Sequence, residues 1–304
     1  MSLASSPAAY LDPGYAASLA EFGEPVLLPQ SQGWLLKRQV AGAERFDAMG
    51  CYPYLACAHW DRLADDLRSL EGVVSVAAAP DPFGAYDLAD LKRAFPDRLV
   101  AFKTHHVADL ARPLGEIVSR RRLRYAEKAL RQLTVEFHAA PEGLLDVWSG
   151  LFRHAVQQFG LKGVRAYSPA AMEQQFRLEG SYMAIASHES QPVAAHIWML
   201  NGGVAHAHLA APGPRAHEFG AAYALYHRAL EFFVGKAAMI DWGGEAGVSR
   251  QGQLGVFKAG WSTGTRQAYF GGRILDLGRY GELCEASGKP PESYFPAYRA
   301  GEFG

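Results

Sequence analysis

Three short apolar runs, Tyr182–Ser187, Val193–Leu200 and Val204–Ala210, follow one another with only HESQP and NGG between them. Parallel strands need a crossover of a dozen residues or more, so connectors this short demand antiparallel neighbours. Asn201-Gly202 is also a hairpin dipeptide. The chain is therefore constrained to hold a three-stranded antiparallel meander. The elements around it must cover that sheet.

Helical periodicity appears on both sides. Leu144, Leu145, Trp148, Leu151, Phe152, Ala155 and Val156 recur at 3.6-residue spacing in a helix that ends near Phe159. Pro169–Arg177 and Glu218–Val234 read as further helices. Ala238–Trp242 reads as a short strand and Gln253–Lys258 as a helical turn. Arg266–Phe270 and Arg273–Leu277 are expected to form a hairpin across Gly271-Gly272. Upstream, Trp34–Val40, Val73–Ala79 and Leu99–Val107 suit strands; Asp61–Leu70 and Leu88–Phe95 suit helices. Residues 115–132 form a strongly basic amphipathic helix. The alternation of strand and helix gives an α/β class with largely antiparallel sheets.

At 304 residues the chain has the length of two domains. Its organisation is expected to be a flexible lead-in over 1–24, an N-terminal unit over 25–132, a C-terminal unit over 133–277 and a tail over 278–304. The first half can be read as a degenerate copy of the second. Lys plus Arg (30) nearly cancels Asp plus Glu (31) for a net charge of −1, which argues against a dedicated nucleic-acid binder. Cys51, Cys57 and Cys284 are odd in number and lack zinc spacing, so a reducing, cytoplasmic compartment is expected, with no metal. No signal peptide is visible at the N-terminus, and no apolar run is long enough to insert in a membrane.

Three segments together resemble the FemAB-like and BioF2-like branch of the GNAT acyltransferase superfamily. FDAMGCYPYL holds an Asp-Ala (Asp47, Ala48) followed by Tyr52 and Tyr54. RRRLRYAEKAL is similar to the family's basic helix, with Arg124 and Lys128. IDWGGEAGVSRQGQLGVFKAGWS resembles its Gly-Gly strand end (Gly243, Gly244) followed by a Phe-Lys pair (Phe257, Lys258). The resemblance covers about residues 30–277. It implies two tandem GNAT-like units, the first degenerate, the second carrying the donor chemistry. It also implies transfer of an acyl group from acyl-CoA, as in the BioF2-like proteins, or of an amino acid from aminoacyl-tRNA to a cell-wall precursor, as in FemAB proteins.

Acyl transfer to an amine needs a phosphate cradle, a base, donors for an oxyanion and a proton for the leaving group. The cradle expected is Pro212–Ala222, where His217-x-x-Gly220-x-Ala222 stands in the family's Arg/Gln-x-x-Gly-x-Gly/Ala frame, with Ala221 beside them and Arg215 two residues earlier. His206 and His208 recur at the spacing that puts strand side chains on one face. Two roles fit them: general base, or partly buried histidines satisfied by nearby carbonyls. Lys258 is expected to steady developing negative charge or to lie on a helix surface. Asp241, with Trp242, Gly243 and Gly244, is expected to orient the amine or to cap a turn. Asp47, Tyr52 and Tyr54, on a long loop, are expected to form part of an acceptor pocket between the two halves, for a small amine or a peptide, or to pack as an aromatic loop on the sheet; the basic helix with Arg124 is expected to bind phosphate or an anionic acceptor, or to be a solvated charged face. No coiled-coil arm is visible, which with the neutral charge ranks acyl-CoA above tRNA as donor. A non-catalytic protein on the same fold is the third reading.

Overall fold

The computed structural model describes residues 7–244, 252–288 and 294–302. In chain order the strands are β1 (Glu24–Leu28), β2 (Gly33–Gln39), β3 (Phe46–Gly50), β4 (Val73–Ala78), β5 (Arg98–Asp109) and β6 (Thr134–Ala139). They continue with β7 (Ser181–His188), β8 (Gln191–Asn201), β9 (Val204–Pro212), β10 (Met239–Asp241) and β11 (Gly264–Ile274). The helices are α1 (Pro13–Ser18), α2 (Leu63–Arg68), α3 (Leu88–Ala94), α4 (Leu114–Ile117) and α5 (Arg120–Leu130). After them come α6 (Leu145–Phe159), α7 (Pro169–Phe176), α8 (Ala221–Phe233), α9 (Gln253–Ala259) and α10 (Leu277–Ser287).

The chain divides into two compact units. The first comprises Met1–Ala9, Lys103–Leu161 and Ser168–Gln267; the second comprises Tyr10–Phe102, Lys162–Tyr167 and Ala268–Gly304. In the first unit β6, β7, β8 and β9 run antiparallel in succession. β9 then pairs with β10 in parallel, and β10 with β5 antiparallel. The second unit repeats this ladder with one antiparallel strand fewer. β1, β2 and β3 are antiparallel, β3 pairs with β4 in parallel, and β4 with β11 antiparallel. In each unit the strand beyond the parallel pair comes from the other half of the sequence. The whole is an α/β fold of mixed sheets flanked by helices.

α5, α8 and the β6–β10 sheet close one apolar core around Trp198, Leu225, Phe233, Trp242 and Trp261. Ala126 and Ala129 on α5 are small enough to bring it close to α8, where Gly220 would place a Cβ only 3.6 Å from that of Ala129. The second unit packs Leu35, Trp60, Leu63, Val76, Leu91 and Phe95 around its own sheet. Among the described residues no helix is long and apolar enough to cross a membrane.

Four expectations are corrected. The Gly271-Gly272 step is no turn: Gly264–Ile274 is one strand. A Cβ on Gly271 would lie 2.4 Å from the Phe95 ring, and one on Gly272 2.6 Å from the Phe295 ring. These glycines admit aromatic rings against the strand. The basic segment is two helices, because Val118 takes an extended conformation (φ −125°, ψ 131°) between them. Of the lead-in, residues 1–6 lie outside the described residues, but Asp12 caps α1 and Tyr10 and Tyr15 are buried. The tail, whose residues 289–293 and 303–304 also lie outside, contains α10.

The tail also fixes Asp47, whose carboxylate is fully buried. Arg299 holds it through Nε and, at 3.0 Å, through Nη2, and Arg38 Nε lies 3.4 Å away. Asp47 is thus consumed inside its unit and has no capacity left for a substrate. Tyr52 gives its backbone carbonyl to the hydroxyls of Tyr15 and Tyr167, and Tyr54 packs edge-on to Tyr10. Removing a partner from a buried ion pair costs about 3–5 kcal/mol. Asp47→Ala is therefore expected to lower the urea-unfolding stability by about that much, and an unchanged midpoint would contradict the buried assignment.

Candidate functional site

The candidate site is built around a carboxylate buried in the first unit, that of Asp241. β10 is three residues long, and its ladder with β9 ends at Asp241 opposite His206. Beyond that point β9 continues to Pro212 while the other chain turns away through Trp242, Gly243 and Gly244. The two strands therefore part next to Asp241. A bulge helps: Ile197 faces Leu209 and Trp198 faces Ala207, leaving His208 as the extra residue on β9. A bulge bends its strand and re-aims its side chains.

Asp241 is 1% exposed. His105, reaching in from β5, places Nδ1 3.0 Å from both carboxylate oxygens. His206 places Nδ1 3.2 Å from Oδ2, and the Gly243 amide donates to Oδ1 at 2.8 Å. Gly243 has φ of +75°, a conformation glycine takes without strain, and that turn aims its amide back at the carboxylate. Burial works to raise the Asp241 carboxyl, but the charge and hydrogen bonds of the two imidazoles overcome it and hold it below the ordinary carboxylate range. An imidazole that donates Nδ1–H to a carboxylate presents Nε2 as its basic atom.

Lys258, nearly buried on α9, donates to the Gly244 carbonyl at 2.7 Å. Arg122 Nη2 in turn donates to the Val256 carbonyl at 2.8 Å and lies over the Phe257 ring, so α5 caps the C-terminal end of α9. Tyr226 stacks on Trp242 with ring centroids 4.1 Å apart, and Trp242 Nε1 donates to the Trp261 carbonyl at 2.8 Å. His208 sits with Nε2 3.2 Å from Oε1 of the fully buried Gln175. Since a carbonyl oxygen only accepts, His208 donates there. Burial first and the neighbouring His206 second push the His208 imidazole down to about 3. Burial and then the Lys258 ammonium push His196 down to about 4.

Asp241, His206, Gly243, Gly244 and Lys258 thus come together, with His208 two residues along the same strand. The site residues differ from expectation in two respects. Asp241 cannot orient an amine, because its oxygens are taken by two imidazoles and an amide. Trp242 is 1% exposed and walled in by Tyr226 and Trp261, so it is core. Sequence reasoning missed His105, Gln175 and Tyr226. The signal for His105 was the His105-His106 pair in a strand, of which alternation sends one side chain to each face.

The 213–220 loop leads into α8 with Gly220 at φ +66°. Its Gly220 amide donates to the His217 carbonyl and its Ala221 amide to the Ala216 carbonyl. Glu218 lies before the helix, not in it, and accepts from Arg215 Nε and Nη2 at 2.9 Å each. His217 and Ala222 are exposed. Phosphates would have to compete with Glu218 for Arg215. Arg124 and Lys128 are exposed on α5 together with Arg120 and Arg121. Among the described residues no group of three His, Cys, Asp or Glu side chains is arranged to hold a metal ion. A cleft of about 380 Å³ in the second unit is lined by Val26, Leu28, Lys37, Asp66 and Leu70. Asp66 there is spent on Ser31 and the Gln30 amide.

Residues 118–248 match a family model described as an acetyltransferase (GNAT) domain. The matched span includes His206, His208 and Asp241 but not His105. Its last residues, together with 249–251 of the Gly-Gly to Phe-Lys segment, lie outside the described residues. No curated protein sequence matches the chain. Among solved structures the fold is shared with FemX at TM-score 0.64 and 12% identity, over 89% of this chain and 93% of that one. It is shared with the L-PGS of Bacillus licheniformis at TM-score 0.59 and 12% identity, over 88% and 93%. It is shared also with the C-terminal domain of a putative lysylphosphatidylglycerol synthetase from Agrobacterium fabrum at TM-score 0.58 and 14% identity, over 89% and 90%. Residues 118–248 are thus similar to a GNAT acetyltransferase domain, and the chain shares its fold with these structures.

The depressed histidines give a pH signature. His196 stays neutral in the folded protein down to about pH 4, whereas an unfolded histidine takes its proton near pH ~6.5. Stability from this group is complete above that value and is lost as the pH falls toward 4. Between pH 7.5 and 5 the wild type should lose about 2 kcal/mol more than His196→Gln, measured as urea midpoints. Parallel losses in the two proteins would contradict it.

Proposed function

We propose that the protein is an N-acyltransferase that moves an acyl group from acyl-CoA to an amine by direct attack, without an acyl-enzyme. The observation that carries this reading is the His206–Asp241 contact at the point where β9 and β10 part. There His206, backed by the carboxylate, takes the proton of the attacking amine at Nε2. His206 is 1% exposed, so the proton reaches it from a substrate seated in the parting or through one intervening water. Burial and the neighbouring His206 keep His208 neutral and poorly basic.

Lys258 holds the Gly243–Gly244 strand end and supplies a positive charge within the same cluster. A tetrahedral oxyanion formed beside it gains from that charge in a site with little water. The 213–220 loop and Arg215 are proposed to receive the donor's pyrophosphate. This assignment favours the FemAB-like and BioF2-like branch, with a small-molecule or peptide amine as acceptor.

One observation favours a second donor. The first turn of α5 holds no acidic residue, and Arg120, Arg121, Arg124 and Lys128 all face solvent. Such a face suits the phosphates of an aminoacyl-tRNA. The non-catalytic alternative has no such support, because a carboxylate-backed imidazole at a strand parting is chemically competent.

A calorimetric panel of CoA thioesters tests the donor. Binding is expected, with Glu218→Gln tightening it several-fold by releasing Arg215, and Arg215→Ala weakening it. Acyl transfer to an amine panel should fall about 10²- to 10⁴-fold in His206→Gln with thioester affinity retained. No binding by any thioester, with turnover from charged tRNA, would replace acyl-CoA by the second donor.

A further inference from the structure

β6 is the edge strand of the first unit's ladder, and among the described residues no strand pairs with its outer side. Two bonds fix which of its groups face outward. The Ala140 amide donates to the Ser181 carbonyl, and the Leu200 amide to the Gly180 carbonyl. Bonding sides alternate along a strand, so β7 turns Gly180, Tyr182 and Ala184 to β8, and Ser181, Met183 and Ile185 to β6. Thr134, Glu136 and His138 are therefore bonded to β7. Val135, Phe137 and Ala139 direct N–H and C=O away from the sheet. This outward row is closed at both ends. The Leu133 amide is spent on the Ala129 carbonyl; beyond Ala139 the Ala140 amide points inward and Pro141 has none.

Proteins blunt such an edge with proline, lysine or a bulge. The edge strand of the second unit, β1, contains Pro25. β6 contains neither proline nor lysine, and its register with β7 is unbroken from Thr134 to Ala139. Its sequence is instead complementary to itself. A strand that pairs antiparallel with a second copy of itself does so about a two-fold axis. With the axis at Phe137, Phe137 faces its own copy and Val135 faces Ala139, so every outward group finds a partner. The positions between, where paired strands come closest, set Glu136 opposite His138 on both sides of the axis. Glu136 is exposed and His138 half-buried, and among the described residues neither has a hydrogen-bond or ion-pair partner. A carboxylate accepts from an imidazole N–H, so each answers the other. Shifting the axis loses this match. At Ala139 it would set Phe137 against Pro141, and at Val135 against Leu133, whose amide is already spent. On the opposite face Phe137 stacks on Phe232 with ring centroids 4.1 Å apart, and Phe232 meets Tyr182 edge-on. All three rings are half-buried and leave apolar surface beside the edge.

We propose that β6 is the interface of a homodimer, joining a second copy of this chain antiparallel across a two-fold axis at Phe137. The sheet of the first unit then continues from one copy into the other. The outward amides and carbonyls supply the affinity, and the Glu136–His138 pairs fix the register. The inference is independent of the donor and of the base.

The test is sedimentation equilibrium of the full chain, with amide hydrogen exchange read at low and high protein concentration. A monomer–dimer equilibrium is expected. In the dimer the amides of Val135, Phe137 and Ala139 should slow by about tenfold or more, while those of Glu136 and His138, bonded to β7, stay slow in both states. Glu136→Lys should raise the dissociation constant about tenfold, and Glu136→Lys combined with His138→Glu should restore it, the pairs reforming with their charges exchanged. Ala139→Pro removes an outward N–H that serves no bond within the chain, so it should abolish the dimer and leave the fold intact. If the proline variant does not fold, the charge exchange decides. A monomer at every concentration, a dimer in which the three outward amides stay fast, or a double variant no tighter than Glu136→Lys would overturn the proposal. Slow outward amides in a monomer would assign the edge to a segment of the same chain and overturn it as well.

Discussion

A carboxylate taken out of water must be met by donors, and the way Asp241 is met organises the first unit. Its oxygens receive two imidazoles and the Gly243 amide. Each donor belongs to a different stretch of chain, so satisfying the charge fixes the register of β5 against β10, the pairing of β10 with β9 and the glycine turn after β10. The chemistry and the stability of this region have the same origin. An apolar residue at 241 would remove the carboxylate that both imidazoles face.

The turn after Asp241 connects the carboxylate to Lys258. The Gly243–Gly244 segment gives one backbone group to Asp241 and another to the Lys258 ammonium. Gly244 has no room for a side chain, since a Cβ would lie 3.0 Å from Lys103 and 3.3 Å from the His105 ring. Arg122 caps α9 from the helix that packs against α8. A positive charge is thereby held against the Gly243–Gly244 turn, without the flexibility of a surface lysine.

Much of this fold was legible in the sequence because its signals are local. The meander of β7, β8 and β9 follows from short connectors, and α7 from Ser168 as cap with Pro169 at its first position. The site was legible only in part. His206, Asp241 and Lys258 stood in recognisable segments, but His105 lies about 100 residues from His206, and no periodicity links them. The role of Asp241 was misread because a strand-end aspartate looks the same whether it faces a ligand or two buried histidines. Gly271-Gly272 looked like a turn because a glycine required by an approaching ring and one required by a turn are the same letter. Asp47 was read as part of an acceptor pocket, whereas the tail supplies its partner 252 positions later.

The account stands on Asp241 being ionised when buried. The direct measurement is the ¹³Cγ chemical shift of Asp241, assigned by its loss in Asp241→Asn and followed as the pH is lowered. The carboxyl is expected to keep the shift of the ionised form through pH 4 and to change only when the protein unfolds. A reversible titration of Asp241 in the folded protein at pH 4 or above would contradict the account.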